Sequence, residues 1–396
     1  MSLLRIKIAS FLFIGLFLCL SCSKDEDPVP PKTGTVVDPD PEPIVSPSPD
    51  FGMTDVEANA TIITQKMGAG FNLGNTFDLR ANSTDPNSIK PIIDLYVEGG
   101  MTHMRIPVTW TDEFNVDHLT DALGNIKFSH PRFSQLKEVI DYALGKGIYV
   151  VINAHHEREF KETYSNSTKQ NEQFTNLWTG IATYFKNYPQ TLIFEILNEP
   201  EGAFGDFSGS LSPFDENAIT LTRTINTLGF NTIRNSDPLN ANRVVMISTN
   251  GQGNHSMIEE VYPTKNALPG NGEDDFLVIQ LHTYDPWPFC GQNGANSAYP
   301  GKETVEAAVR RALDHAKTLE VPVNYGEFGV GRVSRQQDRN TAIVREYYRT
   351  IVQTVLGEGM SVTPWDDRGW FGLVSRNSAQ EYEFNFDIVP SMLAAE

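Results

Sequence analysis

The stretch LIFEILNEP, residues 192–200, is an apolar run that ends on an amide, a carboxylic acid and a proline. A second β-rich run, VPVNYGEFG at residues 321–329, also ends on a glutamate that is followed by a turn at glycine. Such unbroken apolar runs are typical of strands that are buried on both faces. Two acids at the tips of two buried strands, Glu199 and Glu327, match the needs of glycosidic bond cleavage. One acid protonates the leaving oxygen while the other attacks or activates water.

Six further apolar runs precede, separate or follow these two. The eight predicted strands are residues 68–73, 102–107, 148–154, 192–197, 243–248, 276–281, 321–326 and 360–364. The clearest predicted helices between them are residues 89–98, 133–146, 170–186, 216–235, 305–318 and 341–356, while the fifth connection, around residues 255–262, is less clear. Alternating strands and helical crossovers predict an α/β fold, a single (β/α)8 TIM barrel over residues 51–396, with its chemistry at the carboxyl ends of the strands.

Composition and charge restrict the class of partner. The 396 residues are 40% hydrophobic, which permits a large buried core. The formal net charge of −19 would repel nucleic acid. A neutral polysaccharide is the better match, and we expect no nucleic acid partner and a monomeric protein.

The first 50 residues have the pattern of an export signal and a stalk. Arg5 and Lys7 precede an apolar run at residues 8–20 that suits a secretory signal peptide, residues 1–21, and is short for a membrane span. Ser21 and Cys22 resemble the lipobox of bacterial lipoproteins, in which the cysteine is acylated. Ordinary signal-peptidase cleavage nearby is the alternative.

The residues after Cys22 strengthen the lipoprotein interpretation. The segment SKDED, residues 23–27, resembles the surface-export signal of Bacteroidetes lipoproteins. Residues 22–50 form a proline-rich linker, for which we expect an extended polyproline II stalk without a core. A lipid on Cys22 would tether the protein to the outer membrane or cell surface, with no other membrane contact. Cys290 is expected to be a packed loop thiol.

Seven segments resemble glycoside hydrolase family five, the cellulase family of clan A. In chain order they are GFNLGNT (70–76), MRIP (104–107), NAHHE (153–157), LNEP (197–200), HTY (282–284), YGE (325–327) and PWD (364–366). They span the whole domain. The resemblance implies a retaining β-glycanase whose acid/base follows strand 4, at Glu199, and whose nucleophile follows strand 7, at Glu327.

The two roles make opposite demands on the two acids. Glu199 must be protonated, so burial and a neighbouring carboxylate should raise its pKa. Glu327 must stay ionised, which Arg105 and Tyr284 would favour, as the matching residues of the family do. Asn198 resembles the family asparagine that binds the sugar 2-hydroxyl. Each residue has a structural alternative, because strand-end acids and arginines also form ordinary ion pairs.

Four further residues in these segments are expected to line the substrate site. His155 and His282 match family histidines at the cleavage subsite, and Asn72 and His156 belong to the same set of predicted substrate contacts. Adjacent strand residues point to opposite faces, so His155 and His156 should not share a metal ion. No further motif has standard metal-ligand spacing, so we expect no metal. We also expect no cofactor, because the carboxylates supply all the acid, base and nucleophile chemistry.

The tryptophans outside helices are candidate sugar platforms. Trp365 resembles the family platform under the cleaved sugar, and Trp110, Trp287 and Trp370 are predicted outer subsites, with loop packing as the alternative. Trp178 falls within a predicted helix and is expected to pack there.

The last strand departs from the family pattern. Residues 363–370, TPWDDRGW, carry Asp367 and Arg368 where relatives often have an asparagine after the first aspartate, which leaves the outer subsites open. The sequence predicts a retaining endo-β-1,4-glucanase of the cellulase type. The alternatives are the same chemistry on xyloglucan, mixed-linkage glucan or β-mannan, or a non-catalytic glycan-binding lipoprotein.

Overall fold

Residues 57–111 and 117–394 are described by a computed structural model of the chain. The signal peptide predicted for residues 1–21, the lipid anchor predicted at Cys22 and the linker at 22–50 lie outside the described residues. Within the described ranges, no helix has the length and apolar character that spanning a membrane requires.

Eight parallel strands form one sheet in chain order. They are β1 (Gly70–Asn72), β2 (His103–Ile106), β3 (Tyr149–Asn153), β4 (Leu192–Glu195), β5 (Val245–Ser248), β6 (Leu277–Thr283), β7 (Val323–Phe328) and β8 (Ser361–Val362). A parallel bridge between Ala69 and Val362 joins the first strand to the last and closes the barrel. A separate antiparallel hairpin is formed by β9 (Val374–Arg376) and β10 (Tyr382–Phe384).

Helices surround the barrel. They are α1 (Ala60–Met67), α2 (Pro86–Glu98), α3 (Pro131–Gly145), α4 (Arg158–Thr163), α5 (Thr168–Tyr184), α6 (Glu216–Ser236), α7 (Asn250–Gly253), α8 (Ile258–Val261), α9 (Trp287–Cys290), α10 (Lys302–Leu319), α11 (Ala342–Gly357) and α12 (Ile388–Leu393). Short 3-10 segments lie at Gly202–Phe204, Pro238–Asn240, His255–Met257, Lys265–Ala267, Pro269–Gly272, Asn296–Ala298 and Gln336–Arg339.

The predicted (β/α)8 barrel is confirmed, and all eight strands lie within the predicted apolar runs or extend them by two residues. The six predicted helices are present with bounds that differ by at most three residues. The unclear fifth connection, between β5 and β6, contains the four-residue helices α7 and α8 and short 3-10 segments. Gly251, Gln252 and Gly253 have positive φ, which interrupts the helical backbone at its start.

Two apolar layers hold the barrel together. Inside it, Val151, Ile193 and Met246 from three strands form one buried cluster with Ile63 and Met67 of α1. The outward faces of the strands pack against the surrounding helices in a second, larger cluster. Because α1 precedes β1, its apolar face closes the amino end of the barrel. The carboxyl ends of the strands are thus left to carry polar side chains.

Candidate active site

Arg105, on β2, is the centre of the polar network at the carboxyl end of the barrel. It is fully buried and donates all five of its N–H groups. Its Nε and Nη2 bind the two carboxylate oxygens of Glu195 at 2.6 and 2.7 Å, and Nη2 also binds Asn198 Oδ1 at 2.6 Å. Its Nη1 binds Asn72 Oδ1 and Glu327 Oε1, each at 2.8 Å. The guanidinium plane is therefore fixed by contacts on every side.

Asn72 supports Arg105 rather than a substrate. It is fully buried on β1, and its Nδ2 donates to the carbonyls of Gly326, Thr363 and Pro364 at 2.9, 3.0 and 3.2 Å. Its Oδ1 accepts from Arg105. The expectation that Asn72 binds sugar is wrong for this structure, because its polar atoms are all engaged by the protein.

Glu195 is a functional-site residue that the sequence reasoning missed. It is the last residue of β4, is fully buried, and also accepts from Asn153 Nδ2 at 3.0 Å. Burial opposes its ionisation, but the Arg105 guanidinium outweighs burial and lowers the pKa of Glu195. A glutamate inside the apolar run LIFE was the available signal, since a buried acid requires a cationic partner.

Glu327, on β7, receives two hydrogen bonds that favour its anion. Arg105 Nη1 binds Oε1 at 2.8 Å and the Tyr284 hydroxyl donates to Oε2 at 3.0 Å. Burial raises the pKa of Glu327, and so does nearby Glu199, while His282 and Arg105 lower it. Both partners predicted for Glu327 thus contact it.

Glu199 lies four residues beyond the end of β4, in a left-handed backbone conformation with φ of 45°. Its Oε1 is 3.0 Å from His282 Nδ1, and part of its side chain reaches solvent. Burial raises the pKa of Glu199 to about 7, and the charge of Glu201 adds to the effect. The predicted direction is confirmed, although the sequence reasoning did not consider Glu201.

The two glutamates face each other. One carboxylate oxygen of Glu199, one of Glu327 and a ring nitrogen of His282 all lie within 4.8 Å of one another. Burial lowers the pKa of His282 to about 4, so its ring is neutral near pH 7. Gln280 Nε2 donates to His282 Nε2 at 2.6 Å, which places the ring proton on Nδ1, toward Glu199. We call Glu199, Glu327 and the side chains that contact them the carboxylate site.

His155 and His156 require a correction. Both follow the last residue of β3, Asn153, so strand alternation does not separate them, and their rings are 4.6 Å apart. One nitrogen of each ring and an oxygen of Asp78 lie within 4.8 Å of one another, a spacing that a metal ion could use. The Asp78 oxygens, however, accept from the backbone N–H groups of Asn75 and Thr76. Burial, together with His156, lowers the pKa of His155, so that ring is neutral.

Trp365 packs against His155, whose Nε2 lies 3.5 Å from Asn198 Nδ2. The two rings are parallel, with an interplanar angle of 5° and centroids 5.9 Å apart. A Cβ on Gly74 would lie 2.7 Å from the Trp365 ring, so the glycine permits the ring to approach the loop after β1. Trp365 is only 9% exposed, and its role as a sugar platform stays a prediction.

The other predicted tryptophan platforms differ in exposure. Trp287 is 54% exposed and Trp370 is 46% exposed, so both can offer a ring face to solvent. Trp110 is fully buried, and its Nε1 donates to the carbonyl of Asn153 at 2.9 Å. The prediction of an outer subsite at Trp110 is therefore wrong. The alternative interpretation, loop packing, is correct for Trp110. Trp178 is buried within its helix, as expected.

Two exposed aromatic residues were missed. Phe207 and Phe214 lie in the loop between β4 and α6, are about half exposed, and have ring centroids 6.1 Å apart. The sequence does carry a signal for them, because the segment FGDFSGSLSPF, residues 204–214, has three phenylalanines in a glycine- and serine-rich loop.

The unusual residues after β8 hold their own loop. Asp366 accepts from the Tyr96 hydroxyl at 2.6 Å and from the backbone of Arg368. Asp367 Oδ1 accepts from the N–H groups of Gly369 and Phe371 at 2.7 and 2.9 Å. The extra acid therefore has a structural role.

Cys290 is a buried free thiol whose Sγ lies 3.6 Å from the carbonyl of Asp285. Burial raises the pKa of its thiol and so disfavours the reactive thiolate. The expectation of a packed loop thiol is confirmed.

Fold and site together define a (β/α)8 barrel with two facing glutamates at its carboxyl end. The model of the family Cellulase (glycosyl hydrolase family 5) matches residues 65–367, and the chain belongs to this family.

Relatives and solved structures agree with the assignment. The chain is 28% identical over 353 residues to endoglucanase A of Clostridium longisporum, covering 82% of this chain and 64% of that protein. It is 30% identical over 350 residues to endoglucanase B of Clostridium cellulovorans, covering 83% of this chain and 73% of that protein. A solved structure, the GH5-4 broad specificity endoglucanase from Clostridium longisporum, has a TM-score of 0.67 and 25% identity, covering 84% of this chain and 97% of that one. The chain thus spans under two thirds of the first relative's length.

Proposed function

We propose that the protein is a retaining endo-β-1,4-glucanase, with Glu199 as acid/base and Glu327 as nucleophile. One observation carries the proposal. The two carboxylates approach within 4.8 Å, and only Glu327 is bound by the Arg105 guanidinium. Retaining glycosidases need such a short separation and such a division of roles.

The first half of the reaction forms a covalent glycosyl-enzyme. An oxygen of Glu327 attacks the anomeric carbon, and the bond from that carbon to the leaving oxygen breaks. Glu199 gives its proton to the leaving oxygen and becomes a carboxylate. The hydrogen bonds from Arg105 and Tyr284 favour the ionised form of Glu327 before the attack and oppose the burial that raises its pKa.

The second half returns the enzyme to its starting state. The Glu199 carboxylate takes a proton from water, whose oxygen attacks the anomeric carbon, and the bond to Glu327 breaks. Two inversions restore the β configuration. His282 keeps Glu199 oriented in both halves, because its neutral ring can donate from Nδ1 whether or not Glu199 carries the proton. These steps need no cofactor.

The preferred substrate is argued from the relatives and the site. The relatives above are named endoglucanases. Asn198 Oδ1 is held by Arg105, and its Nδ2 lies 3.5 Å from His155 Nε2, which leaves a second N–H of Nδ2 to donate to a sugar 2-hydroxyl. Trp365 would support the cleaved sugar, and the strongly negative chain suits a neutral glucan.

A substrate panel tests the function. Reducing-sugar release should be greatest on soluble β-1,4-glucan and smaller on xyloglucan, mixed-linkage glucan and β-mannan, with Glu327→Gln as the inactive control. A higher rate on another glycan would replace the proposed substrate. Binding without release from any glycan would indicate a glycan-binding protein instead.

Product stereochemistry tests the mechanism. Retention predicts that proton NMR of the earliest product shows the β-anomer, followed by mutarotation. A first-formed α-anomer would mean direct attack by water, and Glu327 would then be a base.

We also propose that the protein is an exported lipoprotein tethered through Cys22 at the outer membrane or cell surface. The support is the sequence alone, namely the signal peptide, the lipobox-like Ser21-Cys22 pair and the SKDED segment after it. Cys22→Ala should release the protein from the membrane fraction while catalysis persists. A wild-type protein that is already free in the soluble fraction would contradict the tether.

A further inference from the structure

Lys161 is a buried lysine that supports the backbone around Glu199. It lies on α4, and its side chain is 1% exposed. Its Nζ donates to the carbonyls of Asn198 and Glu199 at 3.4 and 3.2 Å, and pairs with Glu201 Oε1 at 3.1 Å. Its three N–H groups thus match three acceptors on one short turn.

Glu201 completes a charge pair beside the acid. Its Oε2 accepts from Gln252 Nε2 at 3.2 Å. Burial opposes its ionisation, but Lys161 outweighs burial and lowers the pKa of Glu201. One positive and one negative charge therefore lie next to Glu199, on α4 and on the turn after β4.

The turn needs support. Glu199 has φ of 45°, a conformation that a residue with a Cβ adopts at a cost. The Lys161 ammonium binds the two carbonyls on either side of the Glu199 α-carbon. The helix is also in close contact with the turn, since a Cβ on Gly202 would lie 2.9 Å from the Glu162 α-carbon.

We propose that the Lys161–Glu201 pair is a positioning device for Glu199, which fixes the turn and sets the proton affinity of the acid through two opposing charges. The inference rests on the proposed function in one respect, that Glu199 is the acid. Neither residue would touch the sugar. Both would act through Glu199.

The charges around Glu199 come from several elements. Arg105 on β2, His156 after β3, His282 on β6 and Glu327 on β7 face it and are unchanged in the variants below. Glu201 raises the pKa of Glu199 and Lys161 lowers it. Removing one charge or the other should therefore move the titration of Glu199 in opposite directions.

The pH profile of kcat/KM on soluble β-1,4-glucan is the test. Activity needs protonated Glu199, so it falls as the pH rises through the pKa of Glu199. Lys161→Met should move this alkaline limb to higher pH, and Glu201→Gln should move it to lower pH, each by about half a pH unit or more. The double variant should return close to wild type.

A matched control is available at the other end of the barrel. Lys186 pairs with Asp237 at 2.9 Å, after α5 and α6, where the chain enters the next strands. Lys186→Met should leave the alkaline limb in place. If Lys161→Met does not fold, Glu201→Gln still tests the sign, because Glu201 is partly exposed.

Two outcomes would overturn the inference. In the first, Lys161→Met and Glu201→Gln both lower activity at every pH and leave the alkaline limb in place. That result would mean that the pair has a structural role alone. The limb could also move in the same direction in both. A 13C NMR titration of the Glu199 carboxyl, assigned with Glu199→Gln, distinguishes a failure of this inference from a failure of the proposed function. If that titration shifts as expected while the activity limb does not, the pair acts on Glu199 but Glu199 is not the acid.

Discussion

Glu195 and Glu199 lie four residues apart on one run of chain and have opposite electrostatics. Glu195, inside the barrel, accepts two hydrogen bonds from Arg105, and its pKa is lowered. Glu199, beyond the strand end, is hydrogen-bonded to the neutral ring of His282, and its pKa is raised to about 7. Burial raises the pKa of both glutamates, and only Glu195, with two hydrogen bonds from the Arg105 guanidinium, has a cation that outweighs burial.

Substitution of Glu327 should have the largest effect on turnover, because Glu327 shares features of both Glu195 and Glu199. It is bound by Arg105, as Glu195 is, and it faces Glu199. Glu327→Gln should lower turnover by at least about 10⁴-fold while the fold persists, since the nucleophile is lost and the shape is kept. A 2-fluoro glycoside should label Glu327 in the wild type, as mass spectrometry of peptides would show. Labelling at another residue would refute the assignment.

Arg105→Met tests the comparison at Glu195, the glutamate inside the barrel. Glu195 would remain buried without its cation, so the free energy of unfolding should fall by about 3–5 kcal/mol. Urea denaturation measures this change in the free energy of unfolding. The exposed pair of Arg311 and Glu259 is the control, and Arg311→Met should leave the urea midpoint close to that of the wild type. Similar small losses in both variants would mean that the interior network contributes little.

Glu199→Ala should separate proton donation from stability. The rate on polysaccharide should fall about 10²- to 10⁴-fold, because general acid catalysis is lost. On an aryl glycoside with an activated leaving group the loss should be far smaller, since that group leaves without a proton. Equal losses on both substrates would argue against an acid role.

The pH dependence of activity should follow the raised pKa of Glu199. Protonated Glu199 is abundant below pH 7 and is depleted as the pH rises through about 7, so the alkaline limb of kcat/KM should lie near that pH. The acidic limb should come from protonation of Glu327. With the activated aryl glycoside, Glu199→Ala should lack the alkaline limb, and a limb that persists would belong to another group.

Two tryptophans should show the smallest effect. Trp370→Ala removes an exposed ring and should raise KM on polysaccharide by at most about tenfold, with kcat unchanged. Trp110→Phe removes the buried bond to Asn153 and should lower the free energy of unfolding by about 1–3 kcal/mol with KM unchanged. The opposite pattern would reverse the assignment of platform and packing residue.

The sequence predicted the barrel because apolar runs are a local property of the chain. It predicted Glu199, Glu327 and their partners through the family segments. It failed where a distant segment decides the outcome. Trp110 follows a strand end, but its carbonyl accepts from Leu119 N–H at 2.7 Å and its ring is fully buried. Likewise, nothing in LIFE shows that Arg105 meets Glu195, because those residues are 90 positions apart.

Asn72 links the start of the barrel to its end. Asn72 lies on β1, and its Nδ2 donates to the carbonyls of Gly326, Thr363 and Pro364. Its Oδ1 accepts from Arg105 Nη1, which also binds Glu327. Proper orientation of Glu327, the proposed nucleophile, therefore requires the first and last strands to be joined. During refolding, helices and strand pairs can form while the barrel is still open, and circular dichroism would register them. Enzymatic activity should return later, in the kinetic phase that closes the barrel. The time at which activity returns therefore measures barrel closure.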